Sequence, residues 1–495
     1  MSGILAGIDL GTTALKVAAF DTVGGTVVAC ASERLDVRSA ADGTREQDLS
    51  VVREQLGRVF AAIRSQLGDR HAGIEGVGLA AQGGSGAIVN RESGTPSTPM
   101  LLWNDSRSRR HAAGVAGLRD EDFWQRMTRR RAPGIGLARL KWLRQTRPGL
   151  FTPDKLYVGA GEYVYFLLTG EWRQDACNAL QIGCYNVPED RLDDELLGLV
   201  GFDSSLVAPL RRGHERHPLS EAGASLLGLK AGIPVVGPYM DHEGGYLSAA
   251  AVSERPLQCS LGTAWVGNFV VPRDGAGSSP NQLVIPSPLA APGRLVIQPL
   301  LTGNTSWDWG LATLLDEDHG RALAAAESVF RQSLLPPDSL LAVPWTPQVN
   351  PLFPPCLGGG TFHGIALHTT RADLLRALAA GMAYEFYRVL RSLQSSAVVD
   401  ALVLGGGASK GWFFRRLLGA LFAPLPLFAL EDEEMAGARG AIWALDAGTG
   451  ASRPVAVETG SADEAEAIRA GFERYGEIFE RLYGHVPAGG VYEVG

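Results

Sequence analysis

One short motif occurs twice in the chain, and almost half of the chain's length separates the two copies. Leu10-Gly11-Thr12 lies near the start, and Leu261-Gly262-Thr263 lies 251 residues later in a sequence of 495 residues. An apolar segment precedes each copy and another follows it, which is typical of a strand, a tight turn and a returning strand. The repeat therefore predicts two similar halves, and we place the domains at residues 1–250 and 251–495.

Composition allows two sizeable hydrophobic cores and argues against some classes of partner. Apolar residues make up 45% of the chain and charged residues 20%, close to the average of globular proteins. The net charge of -8 does not favour nucleic acid or an acidic membrane surface, since both attract positive proteins. No apolar run is long enough to span a bilayer. We therefore expect backbone N–H groups, or one well-placed cation, to hold any small anionic ligand.

Cysteine usage and the first residues indicate a cytoplasmic protein. The five cysteines lie far apart without a CxxC pair, so neither a disulfide framework nor a zinc cluster is predicted. The start of the chain has no basic leader and reaches Asp9 after a short apolar stretch, which is not typical of a signal peptide. The cysteines are Cys30, Cys177, Cys184, Cys259 and Cys356.

The residues of the first repeated turn suit an anion. In Gly11, Thr12 and Thr13, short side chains let backbone N–H groups and hydroxyls come close to a phosphate, and Lys16 adds a cation nearby. A single turn of this kind could equally be an ordinary β-turn. Two copies at half-length spacing favour the phosphate-binding interpretation.

A third glycine cluster follows the strand predicted at residues 398–404 and precedes a predicted helix at 412–422. A strand, a glycine turn and a helix start admit a flat base or a phosphate, although such turns also form for purely steric reasons. Lys410-Gly411 has the reverse of the Walker order, so no P-loop is predicted. The cluster consists of Gly405, Gly406, Gly407 and Ala408.

A carboxylate follows the strand predicted just before the second repeated turn. Residues 232–237 form this strand, and Asp241-His242-Glu243 follow it beside two glycines. A strand end is a favoured catalytic position because the scaffold holds the side chain while the loop leaves it open. The other interpretation is that Asp241 caps the following helix.

The remaining patterns are predicted to be structural. Thr370 with Asp373, and Ser461 with Glu464, are helix-capping patterns followed by apolar stripes typical of core helices. The basic run Arg126, Arg129, Arg130 and Arg131 is expected to be a solvated face.

Residues 83–87 nearly match the nucleophile elbow of hydrolases, with Ser85 as the nucleophile. The final glycine of that motif is missing, and no Asp and His follow in the expected order. The sequence therefore does not favour a hydrolase.

The order and spacing of motifs along the chain resemble those of the FGGY carbohydrate kinases, a family of the actin-like ATPase superfamily. The pattern is nearest to that of the xylulose kinases. The segments that carry the resemblance are IDLGTTALKV (8–17), TREQD (44–48), GVGLAAQ (76–82), LLWNDSR (101–107), LARLKWL (137–143), LLTGEW (167–172), MDHEGG (240–245), CSLGTAW (259–265), TFHGIALHTTRADLLRAL (361–378), VLGGGASKGWF (403–413) and EEMAGARGAIWA (433–444).

This resemblance implies an α/β fold of two actin-like (ribonuclease H-like) domains, each a five-stranded mixed sheet flanked by helices, with ATP and sugar meeting in the cleft between them. It implies ATP and Mg²⁺ as cofactors, a sugar or polyol as substrate, and a possible homodimer. The residues that it implies for ATP are Gly11, Thr12, Thr13, Lys16, Gly262, Thr263, Gly303, Gly405, Gly406, Gly407 and Ala408.

The resemblance also assigns the chemistry. Asp9 would orient Mg²⁺ through water, and Asp241 would be the general base on the sugar hydroxyl. Phosphoryl transfer passes through a loose transition state, so an ordinary carboxylate that accepts a proton late is adequate. The alternative is a non-catalytic ATP-binding regulator or scaffold of the same fold, which the presence of both aspartates disfavours.

The implied sugar site departs from the family pattern. Xylulose kinases usually have Met-His after the glutamine of the GVGL strand and glycerol kinases have Arg-Glu, whereas Gln82 precedes Gly83-Gly84 here. We expect a roomier or differently lined pocket, for a ketose such as xylulose, a longer or deoxy sugar, a cyclitol or another polyol. Arg139 also replaces a lysine near Trp142. The implied substrate contacts are Gln82, Trp103, Asn104, Asp241 and His242.

Overall fold

A computed structural model describes residues 3–273, 282–289, 293–300, 302–316, 318–346, 359–395 and 398–484. The chain forms two compact units, neither of which is continuous in sequence. Unit 1 comprises Met1–Ala251, Val270–Val296 and Met435–Ser452, and unit 2 comprises Val252–Phe269, Ile297–Glu434 and Arg453–Gly495. The division into domains 1–250 and 251–495 stays a prediction. Cys356 lies outside the described residues, and the other four cysteines are free thiols.

Strands and helices succeed one another through both units. The strands are β1 (Ile4–Leu10), β2 (Ala14–Asp21), β3 (Val27–Arg34), β4 (Arg38–Ser39), β5 (Arg45–Gln47), β6 (Ile74–Ala81), β7 (Ala87–Asn90), β8 (Met100–Leu101), β9 (Lys155–Val158), β10 (Tyr185–Asn186), β11 (Arg191–Leu192), β12 (His217–Pro218), β13 (Pro234–Met240), β14 (Pro256–Leu261), β15 (Trp265–Val271), β16 (Leu283–Pro286), β17 (Arg294–Leu300), β18 (Leu341–Val343), β19 (Thr361–His363), β20 (Ala401–Gly405), β21 (Leu427–Leu430) and β22 (Pro454–Ala456).

The helices are α1 (Leu49–Leu67), α2 (Ala112–Ala116), α3 (Glu121–Thr128), α4 (Ile135–Thr146), α5 (Ala160–Thr169), α6 (Ala176–Ile182), α7 (Asp194–Gly198), α8 (Glu221–Leu227), α9 (Asp241–Ala249), α10 (Asn304–Leu314), α11 (His319–Gln332), α12 (Arg371–Ser395), α13 (Trp412–Phe422), α14 (Ala436–Ala441), α15 (Ala447–Gly450) and α16 (Ala462–Tyr483). No helix of the described ranges combines the length and the apolar character that crossing a bilayer requires.

The main sheet of unit 1 has six strands in the order β12-β13-β6-β1-β2-β3. Strands β1, β6 and β13 are parallel, whereas β2, β3 and β12 run antiparallel to their neighbours. The predicted five strands form the body of this sheet, and the two-residue strand β12 adds an edge. Leu10 and Met240 both pair with Ala81, so three parallel strands end level with one another.

Helices cover both faces of this sheet. Side chains of α1, α5 and α8 pack on one face, in the large core that β1, β2 and β6 share with them. On the other face, α14 and α9 pack against the sheet, with Ala438 and Ile442 of the α14 region beside Phe20. The close approach of α14 requires glycine, since a Cβ at Gly7 or Gly78 would overlap its backbone carbonyls.

The second sheet has seven strands in the order β16-β17-β15-β14-β20-β21-β22. The five strands from β17 to β21 match the predicted number, and β16 and β22 lie at the edges. The β14–β15 hairpin lies beside the parallel strand β20, as the β1–β2 hairpin lies beside β6. The predicted internal repeat is therefore confirmed as a repeat of structure.

The two predicted capped helices are confirmed as α12 and α16. Asp373 accepts from Thr370 N at 3.0 Å, and Ser461 accepts from Glu464 N at 3.2 Å. The described side chains of their apolar stripes are buried, with the exception that Leu482 is 39% exposed, and the side chain of Leu393 lies outside the described residues. Leu375, Leu378, Met382, Phe386 and Val389 form the buried stripe of α12, and Ile468, Phe472, Tyr475 and Phe479 form that of α16.

Candidate active site

Three predicted site residues lie where the parallel strands of unit 1 end. Asp9 is the last residue but one of β1, Gln82 follows β6, and Asp241 begins α9 directly after β13. Since Leu10, Ala81 and Met240 are paired neighbours, these three side chains start from one edge of the sheet. This edge, at the carboxyl ends of parallel strands, is where open α/β sheets bind ligands.

Within the part of the chain that the structure describes, Asp241 has a single hydrogen bond, which its Oδ1 accepts from His242 N at 2.9 Å. The helix cap is instead completed by Glu243, whose carboxylate accepts from Met240 N at 2.9 Å. Asp241 and His242 are both half-buried. The capping interpretation of Asp241 is therefore weakened, because Glu243 caps the helix. Asp241 Oδ2 accepts no hydrogen bond from the described residues and can meet a ligand.

Asp9 is a half-buried carboxylate that accepts no hydrogen bond from the described residues. Burial is the main reason that its pKa is raised to about 6, with a smaller contribution from the charge of Asp241, while Lys16 acts in the opposite direction. Lys16 is the direct β-sheet partner of Asp9. Gly437 of α14 lies against the carboxylate, since a Cβ there would be 2.6 Å from Asp9 Oδ2.

The first repeated turn is hydrogen-bonded to the loop at residues 82–86, which is named the sugar loop for its predicted role. Gly11 N donates to Ala14 O at 3.0 Å and closes the turn. Thr12 Oγ1 donates to Gln82 Oε1 at 3.0 Å and accepts from Trp103 Nε1 at 3.1 Å. Thr13 is exposed at the tip. The residues of unit 1 that are predicted to bind phosphate and those predicted to bind the sugar thus form one hydrogen-bonded group.

Gln82 is buried, and both ends of its amide have protein partners. Its Oε1 accepts from Thr12 and Ser85, and its Nε2 donates to Gln47 Oε1 at 3.2 Å. The hydroxyl of Ser85 is buried and also accepts from Trp103 N at 3.1 Å. The Ser85 hydroxyl is thus used in holding the loop together, which favours a structural role over a role as a nucleophile.

Gln181 of α6 occupies the space above Gly83 and Gly84. A Cβ built at Gly83 would overlap Gln181 Nε2, and a Cβ built at Gly84 would overlap its Oε1. Gly84 also has a φ of 72°, which favours glycine. Of the two expectations for this loop, a roomier pocket and a differently lined one, the contacts favour the second.

Two buried polar side chains hold the loop in place. Arg139 donates to Gly84 O at 2.9 Å and to Leu102 O at 2.8 Å, so this departure from the family pattern fixes the loop. Asn178 accepts from Gly84 N at 3.2 Å and donates to Glu162 Oε1 at 3.1 Å. Burial, reinforced by the charge of Asp175, raises the pKa of Glu162 well above its ordinary value.

The remaining predicted substrate contacts are accessible. Trp103 is 39% exposed, with its ring nitrogen bonded to Thr12. Asn104 is exposed, and its side chain makes no hydrogen bond with the described residues. Both follow β8 and are therefore free to meet a ligand on the sugar side of the loop.

In unit 2, the predicted nucleotide residues converge on the second repeated turn. Gly303 lies against this turn, because a Cβ there would be 2.8 Å from both Thr263 O and Trp265 N. Gly406 has a φ of 90°, and its Cβ would lie 2.8 Å from the carbonyl carbon of Leu261. The structure thus brings Gly262, Thr263 and Gly303 together with glycines 405–407, and buried Ala408 follows them.

Sequence reasoning missed several residues of these two groups. Asn304, next to Gly303, donates to Leu261 O at 3.2 Å and accepts from Trp265 Nε1 at 3.1 Å. Gln181, Asn178 and Gly437 were also missed, because their contacts are with residues far away in sequence. Gly437 lies within the motif EEMAGARGAIWA, which contributed to the family resemblance. Nothing in that motif indicated that Gly437 would contact Asp9.

The donor groups fit Mg²⁺ and phosphate. Mg²⁺ keeps several waters and uses one or two carboxylates together with substrate phosphates, and Asp9 offers a carboxylate without a protein donor. Across the described ranges, no group of three or more His, Cys, Asp or Glu side chains forms an all-protein metal site. Short side chains at both turns leave room for phosphate oxygens to approach backbone N–H groups.

Comparison with known proteins identifies the family. The model of the FGGY family of carbohydrate kinases, N-terminal domain, matches residues 4–248, and that of the C-terminal domain matches residues 301–445. The chain belongs to the FGGY family of carbohydrate kinases, and it is a kinase that uses ATP to phosphorylate a sugar or polyol. The scaffold alternative is thereby excluded.

Individual relatives agree with this membership. The chain is 26% identical over 437 residues to a probable L-xylulose kinase of Pasteurella multocida (strain Pm70), covering 83% of this chain and 84% of the relative. The crystal structure of xylulose kinase from Rhodospirillum rubrum has a TM-score of 0.82 at 21% identity, covering 97% and 98% of the two chains. Plasmodium falciparum glycerol kinase, solved with ADP, has a TM-score of 0.79 at 15% identity, covering 98% and 99%. The predicted α/β fold with two mixed sheets is confirmed.

Proposed function

We propose that Asp241 is the general base that accepts the proton of the acceptor hydroxyl in this kinase. The observation that carries the proposal is its position: a half-buried carboxylate with one hydrogen bond, at the sheet edge that also holds Asp9 and the sugar loop. As the hydroxyl oxygen bonds to phosphorus and the bond to the departing ADP breaks, the hydroxyl proton passes to a free oxygen of Asp241. An ionised carboxylate is sufficient, since proton transfer is late in a loose transition state.

Asp9 and the two glycine-threonine turns are proposed to hold the phosphate side of the reaction. When bound, Mg²⁺ supplies positive charge to the phosphates. Asp9 would orient a water of that ion, and Lys16 would add a fixed cation. Gly11, Thr12 and Thr13, with Gly262, Thr263 and Gly303, would offer backbone N–H groups to phosphate oxygens, and glycines 405–407 with Ala408 would support adenosine.

The acceptor is proposed to lie beside Trp103, with Gln82, Asn104 and His242 around it. The similarity to a probable L-xylulose kinase supports a ketose, while the altered loop at residues 83–84 supports a different sugar or polyol. A role of Gln82 in binding would be indirect in this arrangement, since its amide already joins Thr12 to Ser85. A cytoplasmic location and a homodimer stay predictions.

ADP release across ketoses, alditols, aldonates and cyclitols tests the proposed function. At least one class should raise ATP turnover well above the rate without acceptor, and Asp241→Ala should remove that increase. The matched control is Asp36→Ala, which removes an exposed carboxylate outside the site and keeps the proposed base. An acceptor-dependent rate that survives in Asp241→Ala would show that another group takes the proton.

A further inference from the structure

Gln181 has unused hydrogen-bonding capacity at the sugar loop. Its Nε2 donates only to Cys177 Sγ at 3.5 Å, which is a weak acceptor, and no described residue donates to its Oε1. The side chain is half-buried above Gly83 and Gly84, and a Cβ at Gly83 would also lie 3.2 Å from Met240 Cγ, next to Asp241. An amide in this position is free to bind an acceptor.

Arg130 is a second polar side chain near α6 for which no hydrogen bond to the described residues is found. The chain turns at Arg129, where φ is 58°, and by Gly134 it lies against α6, with a Cβ there 2.6 Å from Gln181 O. Arg130 lies within this turn, and its Nε is buried with no hydrogen-bond partner. The expected solvated face of the basic run is therefore wrong for this arginine.

No acid of the described residues forms an ion pair or hydrogen bond with Arg130, although the charges of Asp175, Glu243 and Asp241 act on the nearby Cys177 thiol. Burial lowers the pKa of its guanidinium, and the thiol of Cys177 is the one titratable group that acts on it. Cys177 Sγ lies 3.2 Å from Met240 Sδ, directly before the proposed base. By contrast, Arg131 pairs with Glu121 at 3.0 Å and Arg139 bonds to two carbonyls.

A half-buried guanidinium whose Nε is buried without a partner is costly to the free protein, and an anionic ligand would offset that cost. A carboxylate can accept two parallel hydrogen bonds from one edge of a planar guanidinium. Gln181 Oε1 would accept from a hydroxyl next to that carboxylate. Phosphate of ATP is a less suitable partner, because the phosphate-side residues lie at the Thr12 turn and Arg130 lies beside α6.

We propose that Arg130 and Gln181 bind the carboxylate and an adjacent hydroxyl of the acceptor, so that the substrate is an aldonate, a polyhydroxy acid, rather than a neutral sugar or alditol. The inference rests on the function proposed above and adds the class of acceptor. In this proposal the absence of side chains at Gly83 and Gly84 makes room for the Gln181 amide. That amide then binds the acceptor in place of side chains at positions 83 and 84.

The test compares kcat and KM for xylonate and gluconate with those for xylitol and glucitol, using the full chain with ATP and Mg²⁺. The wild type should prefer the better aldonate by about tenfold or more in kcat/KM. Arg130→Met should reduce kcat/KM for that aldonate by about ten- to hundredfold, mainly through KM, and change the alditol values by less than about threefold. Arg130→Lys should restore part of the loss.

Two further variants separate recognition from structure. Gln181→Glu should weaken aldonate binding by repulsion, while Arg131→Met, the matched control in the same basic run, should leave both acceptor classes unchanged. The Tm of Arg130→Met without ligands should equal or exceed that of the wild type, because a half-buried charge with an unpartnered Nε is removed. A clear fall in Tm would mean a structural role and would overturn the proposal.

The outcomes also distinguish the two proposals. Preference for a neutral acceptor, with an Asp241-dependent rate that Arg130→Met leaves unchanged or lowers equally for all acceptors, would overturn the aldonate proposal alone. A rate on aldonates that survives in Asp241→Ala would overturn the assignment of the base and leave Arg130 recognition standing. Absence of turnover with every acceptor would overturn both.

Discussion

At the scale of single residues, the Asp9 carboxylate is buried enough to make its ionisation unfavourable in the absence of a bound cation. The carboxylate is half-buried and has no hydrogen-bond donor among the described residues, and burial raises its pKa to about 6. Lys16 opposes this shift without cancelling it. A carboxylate of this kind costs stability when it ionises and regains that cost when a cation binds.

Asp9→Asn should therefore stabilise the metal-free protein in a pH-dependent way. The folded-state pKa is above the ordinary value of 3.8, so the ionisation cost is absent below about pH 4, grows up to about pH 6 and is constant above it. In EDTA, the variant should gain about 2–3 kcal/mol in free energy of unfolding over the wild type at pH 7, and almost nothing at pH 4.

Urea unfolding at pH 4, 5, 6 and 7 measures this difference. The control is Asp36→Asn, a carboxylate outside the site, for which no such rise is expected. A stability difference that does not change with pH would contradict the account of Asp9.

At the scale of elements, helix α6 and the sugar loop form one hydrogen-bonded assembly. Asn178 joins Gly84 N to Glu162 Oε1, and the Glu162 oxygen that accepts from Asn178 Nδ2 holds the amide in this orientation. Arg139 fixes the other side of the same loop. The position of the loop therefore depends on residues that do not touch the acceptor.

Glu162→Gln and Glu162→Ala should differ because only the first keeps an acceptor for Asn178 Nδ2. The alanine variant should lose about 1–3 kcal/mol of unfolding free energy and raise KM for the acceptor, while KM for ATP stays nearly constant. The glutamine variant should stay within about 1 kcal/mol of the wild type. Equal losses in both variants would show that a charged Glu162 is required.

The second repeated turn gives a prediction for the nucleotide side. Gly303→Ala places a Cβ 2.8 Å from backbone atoms of Thr263 and Trp265, so the turn must move. KM for ATP should rise by about tenfold or more, with little change in KM for the acceptor. Gly476→Ala in α16, where nothing lies within 4 Å of the new Cβ, is the control and should leave both constants unchanged.

At the scale of the whole molecule, unit 1 is completed by residues from late in the chain. Ala438 and Ile442 belong to the same apolar cluster as Leu5 and Phe20, and α14 packs tightly enough to require glycine on the sheet. A fragment ending at residue 250 would expose this face. The proposed boundary near residue 250 therefore describes the repeat better than it describes an independent folding unit.

The fragment 1–250 should accordingly unfold less cooperatively than the full chain and bind a hydrophobic dye at 25 °C, because its core lacks the α14 segment. Circular dichroism melting and dye fluorescence measure this. Sharp, two-state melting of the fragment, with no dye binding, would mean that the late segment is dispensable.

The sequence was informative wherever a motif is local. The repeated turns, the caps of α12 and α16 and the strand before Asp241 were all predicted correctly, since turn and cap chemistry depends on neighbouring residues. It was not informative where function depends on distant contacts. Nothing in the sequence indicated that Gln181 fills the space above Gly83 and Gly84, or that Arg130 lacks a partner, because both depend on how α6 packs.

The central claim is that this FGGY kinase transfers phosphate with Asp241 as the base. The most direct measurement is acceptor-dependent ADP release by the wild type and by Asp241→Asn, which keeps the shape of the side chain. Loss of the base should reduce kcat by about a hundredfold or more, with ATP binding retained. An acceptor-dependent kcat within about threefold of the wild type would contradict it.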